Sequence, residues 1–445
     1  MLWRRRPLWR TYFVFSADME KSQAWASVWR FVPTPSRNWR CLFYVIRIAI
    51  VPGDSTGVEC AVKMRQRLAI ILFVVTLANI YVAASFYLVT GWAGVWWISA
   101  LVFLLELMMP LLRFKAESWR KATPGLGPLL WGLGVLSLMA IGGFSMVFFF
   151  SAVRDILFFA AGFFVAPPVL ETFSHLSVQI ELLLLAAILL IGMYQALIGP
   201  GVKHVQVPLK GLPQEFEGFR IAQVSDLHIG PTIGAAYVRN VVQVVNELNA
   251  DIIALTGDIT DGEPASLGSI AQLLGEMKST FGRFFVTGNH EYYHNAPEWI
   301  RIHQASGTHV LTNQSHLIAK HGAKIAILGV PDVSAHHFVP AHVSSPEVAA
   351  AGVPPDMIKI LLAHQPVSYK AAHAAGVNLQ LSGHTHSGQF FPWNLVIGFF
   401  HDYYRGLNRF KEMWIYVNPG TGYWGPPLRA AVASEVTLLT LTRES

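Results

Sequence analysis

Five short apolar runs in the second half of this 445-residue chain stop abruptly at side chains that can bind metal or move protons. Phe219–Ser225 runs into Asp226-Leu227-His228, and Asp251–Thr256 into Gly257-Asp258, with Asp261 close behind. Arg283–Thr287 leads to Gly288-Asn289-His290-Glu291, Ile358–Ala363 to His364, and Asn378–Leu381 to Gly383-His384-Thr385-His386. A single end of this kind is commonly a turn in which Asp or Asn bonds its own backbone. Five of them point to one shared site, because α/β folds gather their ligands beyond the C-terminal ends of strands. The donors are oxygen and imidazole without thiolate, since the only cysteines are Cys41 and Cys60. That mixture suits Mn, Fe, Zn or Co. Asp226, Asp258, Asn289, His228, His364, His384 and His386 are too many ligands for one ion and about right for two. Asp258, from the central strand, is the natural bridging carboxylate.

In order along the chain, DLH, GDITDG, GNHE, LLAHQP and GHTH resemble the five sequence blocks of the calcineurin-like metallophosphoesterases, over roughly 218–442. Through the stretch YVNPGTGYWGPPLR at 416–429 the chain is most similar to the bacterial membrane-attached or exported branch. The resemblance implies a β-sandwich of two mixed sheets flanked by helices. Position by position, it implies that Asp226, His228 and His386 hold one metal, Asn289, His364 and His384 the other, with Asp258 between them. It gives His290 a catalytic role without metal ligation, and makes Asp261 the carboxylate that orients it, although Asp261 can equally be an ordinary loop residue. The implied cofactors are two divalent metal ions, left open among Mn, Fe, Zn and Co. Two ions about 3.5–4 Å apart lower the pKa of a shared water and neutralise phosphoryl oxygens in an in-line displacement. The implied activity is metal-dependent hydrolysis of phosphomonoester, phosphodiester or pyrophosphate bonds.

Alternating strands and helices must position these residues. Besides the five runs, strands are expected at Lys324–Gly329, Met413–Val417 and Glu435–Leu441, with helices at Ala235–Leu248 and 265–279. This alternation predicts an α/β domain over 201–445.

Residues 64–200 read as a multi-pass helical membrane region. Uncharged or nearly uncharged runs cover Leu68–Thr90, Ala93–Leu112, Leu129–Ser151 and Ile180–Ile198, each close to the length that crosses about 30 Å of hydrocarbon. Ile156–Leu170 is shorter and broken by Pro167-Pro168, so the count is four or five, with the third span leaving the bilayer near Arg154-Asp155. Lys/Arg at 65, 67, 113, 115, 120 and 121 place both of those sites in the cytoplasm. Five spans put the C-terminal domain outside and four put it in the cytoplasm; resemblance to exported proteins favours an extracytoplasmic domain. Residues 1–63 are rich in Arg and Trp without a sustained period. Met64, followed by Arg65-Gln66-Arg67 and an apolar run, has the layout of a membrane-protein start, so 1–63 is expected to be an artefact of start-site choice or else a disordered basic arm.

Charge is divided along the chain, with 17 Lys/Arg against 9 Asp/Glu in residues 1–200 and 16 against 18 in 201–445. The candidate catalytic domain is thus slightly acidic, which argues against a nucleic-acid partner. The expected partners are the lipid bilayer and a phosphorylated small-molecule or lipid substrate, with oligomeric state left open. A nuclease or nucleotide phosphodiesterase, and a metal-binding sensor or scaffold without turnover, are the alternatives. Phe390, Phe391, Trp393, Phe399, Phe400, Tyr403 and Tyr404 could form an apolar wall, a membrane-facing lip or a packed insertion. Tyr292, Tyr293 and His294 could line the cleft, and His336 and His337 read as solvated loop residues. Glu106 and Glu181 lie within expected spans, and no basic partner for either is visible in the sequence.

Overall fold

Long uncharged stretches fold as helices because each helix satisfies its own backbone hydrogen bonds. The computed structural model describes the backbone of residues 55–122 and 124–444, with side chains except those of 55–65, 67 and 110–124. Most of the leader expected at 1–63 lies outside the described residues. Four helices open the described chain: α1 (Ser55–Thr90), α2 (Gly94–Ala122), α3 (Gly127–Ala161) and α4 (Pro167–Leu197). Among the described residues three segments are long and apolar enough to cross a membrane, Leu68–Thr90 in α1 together with α3 and α4, while the apolar part of α2 is the shorter Gly94–Met109. Helix α3 is longer than the apolar run expected for the third span, continuing through Arg154 and Asp155 to Ala161. Ile156–Leu170 forms no helix of its own. Its first half completes α3, and Pro167-Pro168 open α4, where proline's missing N–H costs nothing.

Beyond α4 the chain builds two six-stranded sheets. The first has the order β1 (Gly201–Leu209), β12 (Glu435–Arg443), β2 (Arg220–Val224), β3 (Ile252–Leu255), β4 (Arg283–Phe285) and β5 (His309–Val310). The second runs β10 (Gly406–Phe410), β11 (Met413–Val417), β9 (Leu379–Ser382), β8 (Lys359–Leu362), β7 (Ala323–Gly329) and β6 (Gln314–Lys320). Both are mixed sheets, as expected. Strand β3 shows why its sequence is continuously apolar. Ile252 and Ala254 enter the core between the sheets with Ile221, Phe284, Ile360 and Leu381, whereas Ile253 and Leu255 face the helical layer with Val241, Leu274 and Trp299. Burial on both faces removes the polar alternation of a half-exposed strand. The helical layer includes α5 (Ala235–Glu247), α6 (Pro264–Ala271), the short α7 (Asn289–Tyr293) and α8 (Ala296–Ala305). The helix expected over 265–279 ends early, continuing as a 3₁₀ turn over Gln272–Glu276.

The helical region encloses a connected polar cluster. Arg154 of α3 donates to Glu181 of α4 at 2.7 Å and to Asp155 at 3.0 Å, and Ser151 donates to Glu181 at 2.7 Å. Tyr81 and Ser85 of α1 donate to Asp155 at 2.9 and 2.6 Å, and Arg154 also reaches Ser85. Glu181, for which the sequence offered no partner, is therefore buried and paired with a residue expected to lie outside the span. Asn79 of α1 likewise donates to Glu106 of α2 at 3.0 Å. In apolar surroundings each group has little alternative to its partner, so the cluster fixes the register of α1, α3 and α4. Arg154→Leu should destabilise the protein in detergent by about 3–5 kcal/mol because it strands Glu181. Denaturant unfolding of this variant and of Arg154→Leu/Glu181→Leu checks the prediction, with the double variant recovering most of the loss.

Candidate metal centre

The five polar ends meet because their strands are neighbours. β2, β3 and β4 are adjacent and parallel in one sheet, as are β8 and β9 in the other. Asp226 and His228 follow β2, Asp258 and Asp261 follow β3, Asn289 and His290 follow β4, His364 follows β8, and His384 and His386 follow β9. The chain turns sharply at these positions. Asp226, His228, Asp258, His384 and His386 all have left-handed φ, between 48° and 71°. That conformation disfavours residues with a Cβ and tends to persist where a site demands it. Glycines provide the close approaches: a Cβ on Gly288 would collide with Asp258, and one on Gly383 with Asp226.

Three overlapping groups of donors result, of which His228, Asp258 and His290 link the other two. Asp226, His228 and His386 form one, with Nε2 of His228 3.0 Å from Nε2 of His386 and Oδ1 of Asp226 3.4 Å from the same His386 nitrogen. Asp258, His364 and His384 form the other, with Nε2 of His364 3.1 Å from Oδ2 of Asp258 and 3.3 Å from Nδ1 of His384. The same Asp258 oxygen lies 4.0 Å from Nε2 of His228 and 3.9 Å from Nε2 of His290, so it faces both sets. Asn289 is buried with Oδ1 lacking a hydrogen-bond partner, as is Nδ1 of His228. His290 and Asp261 stand beside the cluster, Nδ1 of one 2.8 Å from Oδ1 of the other. The structure thus brings together the Asp and His residues expected in the site, with Asn289 next in the chain to His290. Tyr293 also lies against it, 5.0 Å between its ring and that of His290. His336 and His337 belong to no metal-capable group among the described residues.

The electrostatics suit cations. Burial and the neighbouring His290 hold the His228 imidazole down to about 3, while burial and His228 keep His386 well below its ordinary value. With both rings kept from taking up a second proton, one Nε2 can hydrogen-bond the other, and a divalent cation can take the place of that hydrogen bond. Burial would also lower His364, but Asp258 outweighs it and holds that histidine well above its usual range. Burial opposes ionisation of Asp258, yet the positive charge of His364 and His290 keeps its carboxyl low. Unpartnered donors, facing nitrogens and a carboxylate between the two sets are a fit for two divalent ions.

The ligand candidates are held from behind. Ser225 Oγ and the His384 N–H donate to Asp226 at 2.5 and 3.0 Å, and Nδ1 of His364 lies 2.8 Å from the Thr256 carbonyl, leaving Nε2 for the site. Two supports were not assigned from the sequence. Glu291, buried in the GNHE block, accepts the N–H groups of Asp258, Thr260 and Gly288 at 3.0, 3.0 and 2.7 Å, clamping two site loops together. Its place three residues after Gly288 was the available signal. Arg429, fully buried in the 416–429 stretch, donates to the carbonyls of Pro419 and Gly422 at 2.7 and 3.0 Å, with Nη2 3.2 Å from Nδ1 of His386. No local pattern marks it, because its partners are backbone atoms of a folded loop.

Glu291→Ala should cost about 3 kcal/mol in unfolding free energy, since three buried donors lose their acceptor, and should weaken metal binding by about tenfold or more; chemical denaturation and metal titration would measure both. His294 gives a pH signature. Burial would lower it, but Asp261 and Glu263 raise it to about 9 from 6.5. The stabilisation from a raised histidine is fully present below pH 6.5 and is lost as pH climbs through about 9. The Tm difference between wild type and His294→Gln should accordingly be largest at the acidic end of that window and vanish above it.

Comparison with known proteins agrees with this geometry. Residues 219–388, which contain all nine expected site residues, match the family described as calcineurin-like phosphoesterase. The chain is 36% identical over 270 residues to a Danio rerio "Transmembrane protein with metallophosphoesterase domain", a match spanning 59% of this chain and 62% of that protein. A metallophosphoesterase of Caenorhabditis elegans is 31% identical over 334 residues, 72% of this chain and 69% of its own length. One from Aquifex aeolicus is 30% identical over 242 residues, 54% of this chain and 91% of its own length. The matches to the zebrafish and bovine transmembrane relatives span about three fifths of those proteins. With the metal-capable clusters in place and the match running through every block, the chain belongs to the calcineurin-like phosphoesterase family.

Proposed function

We propose that this chain is a membrane-anchored phosphoesterase that hydrolyses phosphomonoester, phosphodiester or pyrophosphate bonds with two divalent ions. The observation that carries the reading is Asp258, whose Oδ2 faces both donor sets at 3.1 and 4.0 Å. Asp226, His228 and His386 would hold one ion, Asn289, His364 and His384 the other, with Asp258 shared. When bound, such a pair lowers the pKa of a water and neutralises phosphoryl oxygens. The remaining work falls to the chain. Asp261 fixes Nδ1 of His290, so Nε2 is the atom that turns towards Asp258 and the cluster. A proton carried there can contact a phosphoryl oxygen or pass to the departing one. The low His228 and His386 pKa values keep their nitrogens available as donors at neutral pH.

The helices would anchor the domain in a bilayer, supported by three segments of sufficient apolar length. The side on which the catalytic domain lies turns on the number of crossings. If all four helices cross, the chain returns to the side of Arg65 and Arg67, and both Lys/Arg sites stay in the cytoplasm. The outward side expected from exported relatives needs an odd number of crossings, which the three segments of sufficient apolar length would give. Protease accessibility in sealed membranes decides the side.

Hydrolysis of bis(p-nitrophenyl) phosphate should depend on added Mn. Asp258→Ala should lose both metal and turnover, and His290→Ala should keep metal by elemental analysis while turnover falls about a hundredfold or more. Wild-type activity in the His290 variant, or no hydrolysis with any divalent metal, would contradict the proposed chemistry.

A further inference from the structure

The catalytic domain touches its helices along an unexpected length. Trp131, near the start of α3, donates to the Pro231 carbonyl at 2.9 Å, and Ser145 lies 3.3 Å from the Trp393 indole nitrogen. Further along α3, Phe391 stacks on Phe150 at 5.2 Å and meets Phe149 edge-on at 4.9 Å. At 1.5 Å per residue, contacts from Trp131 to Phe150 extend roughly 28 Å. On α4 the Gly192 carbonyl accepts the Arg429 N–H at 2.9 Å. Leu428, Ala430 and Phe390 pack against residues from Leu185 to Met193. Leu185 lies about 18 Å along the axis from the end of α4 at Leu197. Two domain segments, around 390 and around 428, therefore descend beside apolar helix surface well below the helix ends.

The same segments border the metal centre. Trp424 places its ring 5.9 Å from that of His290, and Gln389 holds the Trp424 N–H and carbonyl at 2.8 Å each. On the other flank His401 lies 5.9 Å from His384, directly after Phe399 and Phe400. Phe399 is 80% exposed, Phe400 55% and Leu395 56%. Apolar side chains thus flank the donor clusters and continue onto α3. Exposed aromatics contiguous with helices of membrane-spanning length match a hydrocarbon or interfacial environment.

We infer that this lip sits in the bilayer interface, and that the site acts on a membrane-borne amphiphile whose phosphate ester reaches the metal centre laterally from the lipid. The substrate part rests on the phosphoesterase reading; the placement of the lip does not. Lipid is the occupant argued here because the lip follows directly along the chain from Phe390, Phe391 and Trp393, which pack on helices whose apolar length suits a bilayer.

Full-length protein in phosphatidylcholine nanodiscs tests both parts. For the lip, a nitroxide is attached through Phe400→Cys with Cys41→Ser and Cys60→Ser. Collisions with oxygen should exceed those with a water-soluble nickel chelate; the reverse order, or spin–spin broadening from a second copy, overturns the placement. For the substrate, discs containing phosphatidate and phosphatidylglycerol are compared with p-nitrophenyl phosphate and bis(p-nitrophenyl) phosphate in solution. Phe399→Ser/Phe400→Ser should leave soluble-ester turnover unchanged and lower turnover of the disc-borne lipid about tenfold, equivalent to roughly 1.4 kcal/mol of lost attachment. Cleavage of soluble esters with neither lipid cleaved, or equal losses on both, overturns the lipid class. No cleavage of any ester with Mn present removes the phosphoesterase reading and the substrate with it, while the label still reports where the lip lies.

Discussion

Asp258 carries the constraint on which the rest of the site depends. It is a buried carboxylate at the seam between two sheets, with imidazoles from both sheets turned towards it. Taking such a charge out of water is costly unless opposite charge and hydrogen bonds compensate. Its Oδ1 accepts the His290 N–H at 2.8 Å, which leaves Oδ2 for the two donor sets. The imidazoles and carboxylates gathered around it, with Asn289 Oδ1 and His228 Nδ1 lacking partners, make a demand that cations would meet. The demand is met cheaply only if the loops arrive in one arrangement.

That arrangement is enforced from outside the cluster. Left-handed backbone at five site residues is unfavourable taken alone, so the surrounding hydrogen bonds must over-determine it. Glu291 ties the loop after β3 to the loop after β4, the His364 carbonyl accepts the Gly383 N–H at 2.9 Å, and Arg429 gathers the 419–422 carbonyls under His386. Arg429 keeps its charge although burial lowers it to about 10, because carbonyl oxygens replace its water. Its backbone N–H meets Gly192 of α4, so one residue links a candidate membrane helix to a candidate metal ligand.

The helical region obeys the same rule as the site: polar groups enter apolar surroundings only in connected sets. Arg154, Glu181, Asp155, Ser151, Ser85 and Tyr81 form one such set, and Asn79 with Glu106 a smaller one. Because α3 and α4 also receive Phe390, Leu428 and Ala430 of the domain, their register bears on the bracing of the metal centre.

Much of this was legible in the chain. Apolar runs ending in Asp, Asn and His identified the site, because a buried strand cannot carry such residues until it leaves the sheet. Strands β1, β5, β6 and β10 were missed, being half exposed, very short or interrupted by polar residues, so their pairing rather than their composition defines them. Glu181 looked isolated because Arg154 is 27 positions away and seemed to lie beyond the membrane. Arg429 acts mainly on backbone atoms, which leave no trace in residue type, and Glu291 is marked only by its place three residues after Gly288. Sequence alone determined which donors exist, their order and the apolar lengths around them, since these follow from local chemistry and period. Tertiary structure decided which donors face one another, which charge pairs with which, and that Phe391 and Trp393 lie along α3, because those are distances between segments that no local preference encodes.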